Sequence, residues 1–445
     1  MGNNKKNRAL CLALLILLLV PLLGMLVFGA SEAVSNERLA AKPRLARAGK
    51  LNLDVFSETA DYFAGRFFGR PALITANSAA EAAVFGESAS QDVVLGKGGW
   101  LYYADTLEDF QGTNPMTSRE LFCAARNLSL MQEYFAREKT AFLFVCAPNK
   151  NTIYPEYMPQ QYPKTDAKPD LDRLEEELIK QDVSFCNLRQ TLTGREALTY
   201  YKTDSHWNSY GSHLAGLEIL SALGKEAGLE DDALSMQPHL GDLHQMLYPA
   251  SGKEESAPAL SRARTFSYVG AVRGADDQLF ETTSAAEGTL FVFRDSFGNA
   301  LHEDLAEQFG QAAFSRAMPY DCSQVKGGTD AVIVELAQRN LRWLASRPPL
   351  LPAPEREAPK WETEASEQVS VQVQSGTFDG LSQYRGSFVQ EPDADAQVFA
   401  FVDGAWYEAC PTEDGFQLLV PEGSELAIVT SVNGAWTRFE ARLES

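Results

Sequence analysis

The stretch Thr289-Leu-Phe-Val-Phe-Arg-Asp-Ser-Phe-Gly-Asn-Ala300 passes from an apolar run through a small polar turn into a helical pattern. An apolar run without alternation suits a central strand that is buried on both faces of a sheet. Further apolar runs predict strands at 140–147, 183–187, 312–315 and 331–336, and helical patterns lie near 118–138, 168–181, 208–227, 300–309 and 337–346. This alternation predicts an α/β domain with a mostly parallel sheet flanked by helices on both faces.

Three segments depart from that alternation. Residues 31–90 are Ala-rich and predict helix in part. Residues 92–103 predict two short strands around the turn Gly96-Lys-Gly-Gly99, the second beginning at Trp100. Residues 228–287 are rich in Gly, Pro and charge, and predict a long connection that is functional or flexible.

The C-terminal part of the chain has a different character. Five prolines fall close together within 347–360, which predicts a semi-extended linker over 347–367. Alternating patterns then recur at 369–373, 397–402, 416–420, 426–431 and 436–443, with turn residues such as Asp403-Gly404 and Asn433-Gly434 between some of them. Short strands at this spacing predict a small all-β domain, a sandwich or a barrel, over 368–445, after an α/β domain over 35–346.

The N-terminus carries a targeting signal. Lys5, Lys6 and Arg8 precede an uncharged stretch at 9–30 that is long enough to cross a hydrocarbon core of ~30 Å. This length favours an uncleaved membrane anchor over 1–34, although small residues from Ala30 onward leave cleavage and secretion open. The basic flank places the rest of the chain outside the cytoplasm.

The bulk composition excludes some classes of protein. The formal charge of −21 argues against a nucleic-acid partner, which requires a basic surface. Of the six cysteines, Cys11 lies in the apolar stretch, whereas Cys123 and Cys146 have the pattern of small buried hydrophobes. No C-x-x-C pair or Cys/His cluster supports a metal site, and one or two disulfides stay open.

Ser296 follows the central strand, where the chain turns into a helix. A side chain in that position is exposed at the carboxyl edge of the sheet, and free N–H groups of the helix start, including its own, can stabilise an oxyanion. The sequence therefore predicts a nucleophile at Ser296. The alternative is that Asp295 or Ser296 is an N-cap.

Asp204 and His206 lie one residue apart in Thr203-Asp-Ser-His-Trp-Asn208, just before a predicted helix. A serine hydroxyl needs a base to remove its proton, and a carboxylate that fixes the tautomer of a histidine makes it a better base. We expect Trp207 to wall the pocket. A capping histidine and a divalent metal pair are the alternatives.

Other residues are weaker candidates. Lys150 and Arg339 follow strands and could bind substrate, although a loop charge and an ion pair with Glu335 are the simpler interpretations. We expect His213 to pack and His302 to face solvent. The motif Gly241-Asp-Leu243 suggests a lid or rim.

Six motifs occur in one order over about 93–346: Val94-Leu-Gly-Lys-Gly-Gly-Trp-Leu-Tyr-Tyr103, Ala147-Pro-Asn-Lys150 with Ile153-Tyr-Pro-Glu156, Thr203-Asp-Ser-His-Trp-Asn208, Gly241-Asp-Leu243, Arg294-Asp-Ser-Phe297, and Val332-Ile-Val-Glu335 with Arg339. The chain thereby resembles the SGNH-like proteins of polysaccharide O-acetylation, meaning the alginate O-acetyltransferase group and the related DHHW family. The resemblance implies an SGNH-hydrolase-like sheet with Asp204 as orienter, His206 as general base and Ser296 as nucleophile, and it requires no cofactor.

The same resemblance implies transfer of acetyl groups to a cell-surface or secreted polysaccharide, with a membrane-bound O-acyltransferase as the partner that supplies acetyl. Two features depart from the alginate proteins: Arg294-Asp295 replaces their Gly-Thr before the serine, and their carbohydrate module is not recognisable in 368–443. Two alternatives stay open, an acetyl-esterase with the same triad and a glycan-binding or scaffold protein.

Overall fold

A computed structural model of the chain describes residues 16, 19–34, 37, 39–47, 49–225, 233–261 and 263–444. Within the apolar stretch 9–30 of the predicted anchor, residues 9–15, 17 and 18 lie outside these residues. Its described end is helical over 19–28. Among the described residues, no helix has the length and apolar character needed to cross a bilayer.

The helices are α1 Val55–Arg66, α2 Arg70–Val84, α3 Leu107–Gln111, α4 Ser118–Arg137, α5 Lys150–Ile153, α6 Asp170–Lys180, α7 Arg189–Leu192, α8 Ser209–Ala222, α9 Asp242–Leu247, α10 Gly298–Gln308 and α11 Trp343–Ser346. The strands of the N-terminal and α/β parts are β1 Ala46–Arg47, β2 Lys50–Leu51, β3 Val93–Leu95, β4 Leu101–Tyr103, β5 Ala141–Ala147, β6 Phe185–Asn187, β7 Ala233–His239, β8 Glu255–Ser261, β9 Ser267–Val269, β10 Leu279–Thr283, β11 Thr289–Phe293, β12 Gln311–Ser315 and β13 Ala331–Ala337. The remaining strands are β14 Glu355–Arg356, β15 Thr363–Ser375, β16 Ser382–Ser387, β17 Val398–Val402, β18 Ala405–Pro411, β19 Gly415–Val420, β20 Leu426–Val432 and β21 Ala435–Glu444.

A seven-stranded sheet in the order β6-β5-β13-β11-β12-β10-β9 forms the centre of the α/β domain. The five strands from β6 to β12 are parallel, and β10 and β9 extend the sheet antiparallel. The strand β11 lies inside this sheet with four of its five residues buried, as its apolar run predicts. Because separate hydrophobic clusters cover the two faces, the carboxyl ends of the parallel strands remain as the open edge of the domain.

The prediction of a long connection over 228–287 is wrong for its described part. It contains β7, β8, β9, β10 and α9, and the hairpin β7–β8 is antiparallel over its whole length. The prediction of a helix over 337–346 is also wrong, because a 3-10 turn at Gln338–Asn340 precedes the short α11. The predicted hairpin at 92–103 is confirmed as β3 and β4, with the second strand beginning at Leu101.

The C-terminal domain is a closed barrel. Seven strands pair in the order β18-β17-β20-β21-β15-β16-β19, and β19 returns to β18, while β14 adds to the outside of β18. The left-handed pairs Asp403-Gly404 and Asn433-Gly434 make the tight turns that the sequence predicts. The strands β16 and β18 have weak alternation in the sequence and were not predicted.

The Pro-rich segment packs along the barrel. The side chain of Gln417 donates to the carbonyls of Pro348 and Pro349 at 3.3 and 3.1 Å, and Leu351 is buried. The strand β15 begins at Thr363, inside the predicted linker. The segment therefore packs on the barrel, and the domain boundaries at 34, 346 and 367 remain a prediction.

Candidate active site

Ser296 lies between β11 and α10 at the open edge of the sheet. Its preceding residue fixes the turn, because Asp295 accepts from the N–H of Phe297 at 2.9 Å and from the N–H of Ala337 at 2.9 Å. The side chain of Asn340 donates to the same carboxylate at 2.9 Å. Among the described hydrogen bonds, none uses the N–H of Ser296. The turn thus presents the hydroxyl together with a free donor.

His206 bridges the serine and an aspartate. Its Nε2 lies 2.8 Å from Ser296 Oγ, and its Nδ1 lies 2.8 Å from Asp204 Oδ1. The N–H of His206 also donates to Asp204 Oδ1 at 3.0 Å, which closes a turn that brings the two side chains together. The structure therefore places the three residues in hydrogen-bond contact in the order serine, histidine, carboxylate.

The second oxygen of Asp204 is held by the segment that follows α8. His239 Nε2 lies 3.0 Å from Asp204 Oδ2, and the N–H of Asp242 donates to the same oxygen at 3.0 Å. Gly241 makes this approach feasible, because a side chain there would meet the carbonyl of Thr203 at 2.1 Å. The rim predicted from Gly241-Asp-Leu243 is thus a support for the carboxylate.

Asp242 also holds the loop from the side. It accepts from the hydroxyl of Ser205 at 2.6 Å and from the N–H of Ser205 at 2.7 Å. One of its oxygens lies 3.7 Å from His206 Nδ1. His206 therefore lies near two carboxylates: Asp204 is in hydrogen-bond contact with it, and Asp242 lies beyond hydrogen-bond distance.

These contacts shift the ionisation of the site. Burial lowers the pKa of His206, but the hydrogen bond to Asp204 and the charges of Asp204 and Asp242 outweigh burial, so this pKa lies above the usual histidine value. Burial raises the pKa of Asp204, and the hydrogen bonds from His206 and His239 outweigh it and hold this pKa well below the usual range. Asp204 is therefore ionised beside a histidine that binds protons readily.

The three residues Asp204, His206 and Asp242 form the one group of potential metal ligands among the described residues. Their separations fit hydrogen bonds better than shared coordination. His206 Nδ1 lies 2.8 Å from Asp204 Oδ1, and an oxygen of Asp242 accepts from the Ser205 hydroxyl at 2.6 Å, both within the usual range of a hydrogen bond.

Lys150 lies behind the loop 201–204. It is 4% exposed, and its Nζ donates to the carbonyls of Tyr201, Lys202 and Asp204 at 3.2, 3.0 and 2.5 Å. The structure therefore does not place Lys150 against substrate, because all three of its protons point into the loop. Burial lowers its pKa to about 8 in spite of the nearby carboxylates.

Glu255 holds the same loop by its N–H groups. It accepts from the N–H groups of Lys202 and Thr203 at 2.8 Å each, and from the hydroxyl of Thr203 at 2.5 Å. The aromatic rings of Trp100 and Tyr102 lie 5.8 and 5.2 Å from Lys150 Nζ. Lys150 binds carbonyl groups and Glu255 binds N–H groups of the loop that carries Asp204, so the two side chains hold this loop from both kinds of backbone group.

A cleft of 860 Å³ opens above Ser296 and His206. Arg339 lines it with its guanidinium over the rings of Tyr103 and Phe297, at 5.5 and 5.3 Å. The expected ion pair between Arg339 and Glu335 does not form, because these residues lie on a strand and a 3-10 turn rather than on one helix. Arg339 is therefore a residue of the cleft.

Trp207 does not line the cleft, contrary to our expectation. It is 1% exposed, and its indole N–H donates to the carbonyl of Phe297 at 3.1 Å. The prediction that His302 faces solvent is also wrong, since it is 3% exposed and its Nε2 lies 2.8 Å from the hydroxyl of Tyr268. His213 lies buried against Asp304, at 2.6 Å.

The five described cysteines, at 123, 146, 186, 322 and 410, are free and buried, so no disulfide forms among the described residues.

His239, Asp242 and Glu255 were not predicted as site residues. They come from the segment 233–261, where the alternating pattern of β7 and β8 is broken by prolines. Their only local signal was the Gly-Asp pair at 241.

Comparison with known proteins defines the class of this domain. Residues 93–315, half of the chain, match the model of the SGNH hydrolase-like domain of the acetyltransferase AlgX. The chain therefore belongs to the SGNH hydrolase-like acetyltransferase family, as its motifs suggest.

Individual relatives are more distant. The probable alginate O-acetylase AlgJ of Pseudomonas syringae pv. tomato is 25% identical over 167 residues, which are 35% of this chain and 41% of that protein. The structure of Bacillus cereus PatB1 is 17% identical with a TM-score of 0.42, over 55% of this chain and 95% of that one. The O-acetyltransferase domain of Pseudomonas putida AlgJ is 17% identical with a TM-score of 0.38, over 56% and 92%.

Proposed function

We propose that this protein is an extracytoplasmic O-acetyltransferase that transfers acetyl groups to the hydroxyls of a polysaccharide through an acyl-serine on Ser296. One observation carries the proposal. Ser296, His206 and Asp204 form a hydrogen-bonded chain at the floor of an open cleft, in a member of an acetyltransferase family.

The first half of the reaction loads the enzyme. His206 Nε2 takes the proton of Ser296 Oγ while that oxygen attacks the carbonyl carbon of an acetyl donor. The tetrahedral intermediate collapses, the bond to the donor oxygen breaks, and the leaving oxygen takes the proton from His206. The products are acetyl-Ser296 and the deacylated donor.

The second half reverses these roles with a sugar as acceptor. A sugar hydroxyl gives its proton to His206 Nε2 and attacks the acetyl carbon, and Ser296 Oγ leaves with that proton. Asp204 stabilises the imidazolium in both halves, because it is ionised in contact with Nδ1. The N–H of Ser296 is placed to stabilise the oxyanion, and Arg339 lines the same space.

The location and partners belong to the same proposal. The apolar stretch 9–30 anchors the chain in a membrane with both domains outside the cytoplasm. A membrane-bound O-acyltransferase supplies acetyl groups from the other side, because no acetyl donor of the cytoplasm reaches an extracytoplasmic site unaided. One relative is named a probable alginate O-acetylase, but the acceptor here need not be alginate.

Two other functions share parts of this account. An acetyl-esterase uses the same triad with water as acceptor, and the open cleft admits water as well as a sugar. A glycan-binding or scaffold protein would need the cleft without the nucleophile, but the direct contact between Ser296 and a histidine that is bonded to a carboxylate favours catalysis.

A partition experiment tests transfer. The protein is incubated with an activated acetyl ester and with oligosaccharides of several kinds, and both acetate and acetylated sugar are measured. We expect acetylated sugar that disappears in Ser296→Ala and remains in the matched surface variant Ser346→Ala. Release of acetate alone, with every acceptor, would assign the esterase function instead.

A further inference from the structure

The segment 42–56 turns its apolar side chains outward. Leu45, Leu51, Leu53 and Phe56 are 73%, 74%, 85% and 86% exposed. Leu51 lies on β2 and Leu45 directly precedes β1, whereas Leu53 lies between β2 and α1 and Phe56 lies in the first turn of α1. Four large, exposed apolar side chains therefore lie within one short segment. Such clusters are uncommon on the surface of soluble proteins.

A polar residue orders this segment from within. Asn52 is 9% exposed, and its amide donates to the carbonyl of Arg44 and to the carboxylate of Glu58, both at 2.9 Å. It also accepts from the N–H of Asp54 at 3.1 Å. Because Asn52 points inward, its neighbours Leu51 and Leu53 point outward in a fixed conformation.

The same segment is basic in an acidic protein. It contains Lys42, Arg44, Arg47 and Lys50 with Asp54 as its sole carboxylate, in a chain with a formal charge of −21. Arg47 pairs with Glu58 at 3.0 Å. The surface therefore combines exposed positive charge with exposed apolar side chains.

The helical pair α1–α2, which follows this segment, contacts the apolar stretch at the N-terminus. The ring of Phe28 stacks on Phe68, between α1 and α2, with centroids 5.1 Å apart. The N–H of Phe68 donates to the carbonyl of Pro21 at 3.3 Å. The second half of the apolar stretch thus contacts the connection between α1 and α2.

We propose that residues 42–56 lie in the headgroup region of an anionic bilayer and hold the α/β domain in a fixed orientation on the membrane. Apolar side chains with flanking Lys and Arg fit a lipid interface with negative headgroups. A polyanionic glycan would use the basic residues but leave the leucines in water, so it fits less well. The proposal uses the membrane location of the proposed function but not its triad.

A site-specific probe tests this surface in the full chain. Cysteine is introduced as Phe56→Cys in a Cys11→Ser background, since the five described cysteines are buried, and is labelled with a polarity-sensitive dye. The control is Val389→Cys on the barrel, where the native side chain is 83% exposed. Each protein is reconstituted in vesicles of phosphatidylcholine alone or with phosphatidylglycerol.

In vesicles with phosphatidylglycerol we expect a blue shift at position 56 that a quencher on the lipid chains suppresses, and neither effect at 389. The double variant Arg44→Glu, Lys50→Glu should lose the shift. Equal emission at 56 and 389 would overturn the proposal, and so would a shift at 56 that soluble polyuronate causes without vesicles. Acetyl-Ser296 formation from a soluble ester, measured on the same proteins, reports the proposed function separately.

Discussion

At the scale of single residues, the site depends on the hydrogen bonds that Asp204 accepts at both of its carboxylate oxygens. One oxygen faces His206, and the other accepts from His239 and from the N–H of Asp242. A buried carboxylate with several donors stays ionised and cannot rotate away. The aspartate can therefore fix the tautomer of His206, so that Nε2 is free to accept the serine proton.

The change Asp204→Asn removes this control. An amide in the same place can donate to Nδ1, which forces the wrong tautomer, so we expect kcat to fall by about 10³–10⁴-fold with a small change in KM. Steady-state kinetics with a soluble acetyl ester measure this loss. The matched variant is Asp242→Asn, because Asp242 accepts a hydrogen bond from Ser205 and not from Nδ1 of His206. An equally large fall of kcat in this variant would contradict the orienting role of Asp204.

The pH dependence follows from the raised pKa of His206. Only the neutral imidazole accepts the serine proton, so activity should be low at acid pH and should rise as pH passes through that pKa. Because the carboxylates raise this pKa above about 6.5, the midpoint of the rise should lie above that value. A profile of kcat/KM against pH measures it. A midpoint well below pH 6 would contradict the account.

The three residues of the candidate triad could be singled out from sequence because their signals are local. Ser296 follows an apolar strand, and Asp204 and His206 are one residue apart before a helix. The supporting residues His239 and Glu255 could not be predicted from sequence, because they come together only through the pairing of β7 with β8. Trp207 was misassigned because a tryptophan beside a catalytic histidine can pack inward as easily as outward.

At the scale of elements, the decisive feature is the loop 201–204 between Lys150 and Glu255. The ammonium binds three carbonyls on one side, and the carboxylate binds two N–H groups on the other. A loop without regular structure has few ways to satisfy buried backbone groups. These two charged side chains add to a strand partner of the loop, the N–H of Leu101 on β4, which donates to the carbonyl of Lys202 at 2.9 Å.

Removal of either charge should misplace the carboxylate without touching the reacting atoms. For Lys150→Met we expect a fall in kcat of about 10²-fold, as a displacement near 1 Å can cause, with KM nearly unchanged. Glu255→Gln should have a smaller effect, since its amide oxygen still accepts. A KM effect without a kcat effect in Lys150→Met would instead return this residue to substrate binding.

The central parallel strands followed from periodicity, whereas the elements within 228–287 and the strands β16 and β18 did not. The strands β5 and β13 were predicted within a residue, because buried parallel strands are continuous apolar runs. The helix expected at 337–346 does not form as one helix, because side chains from elsewhere bind its first residues. Asn149 accepts from the N–H of Arg339. Asp295 accepts from the N–H of Ala337 and from the side chain of Asn340. Tertiary contacts of that kind leave no mark on a local pattern.

At the scale of the whole molecule, a charged cluster joins the two domains. Arg126 on α4 makes two hydrogen bonds of 2.7 Å to Glu408 on the barrel, whose side chain is buried. Arg356 of the Pro-rich segment reaches both Glu408 and Glu133. The Pro-rich composition predicted a semi-extended linker, and these contacts tie it and the barrel to the helix α4.

We expect Glu408→Ala to weaken this junction, because it leaves Arg126 and Arg356 without their shared partner. Loss of one member of a buried pair costs about 3–5 kcal/mol, reduced here because both arginines are partly exposed. Calorimetry should show a lower melting temperature and two separated transitions. The control Glu367→Ala changes an exposed residue of β15, and an identical melt for both variants would contradict a structural role of the cluster.

The central claim is that Ser296 carries an acyl group activated by His206. The most direct measurement is mass spectrometry of the intact protein, with peptide mapping, after brief exposure to an activated acetyl ester. The account predicts one added acetyl group on Ser296, absent in Ser296→Ala and formed far more slowly in His206→Ala. An acetyl group that forms on Ser296 at the same rate without His206, or no acetyl group there at all, would contradict it.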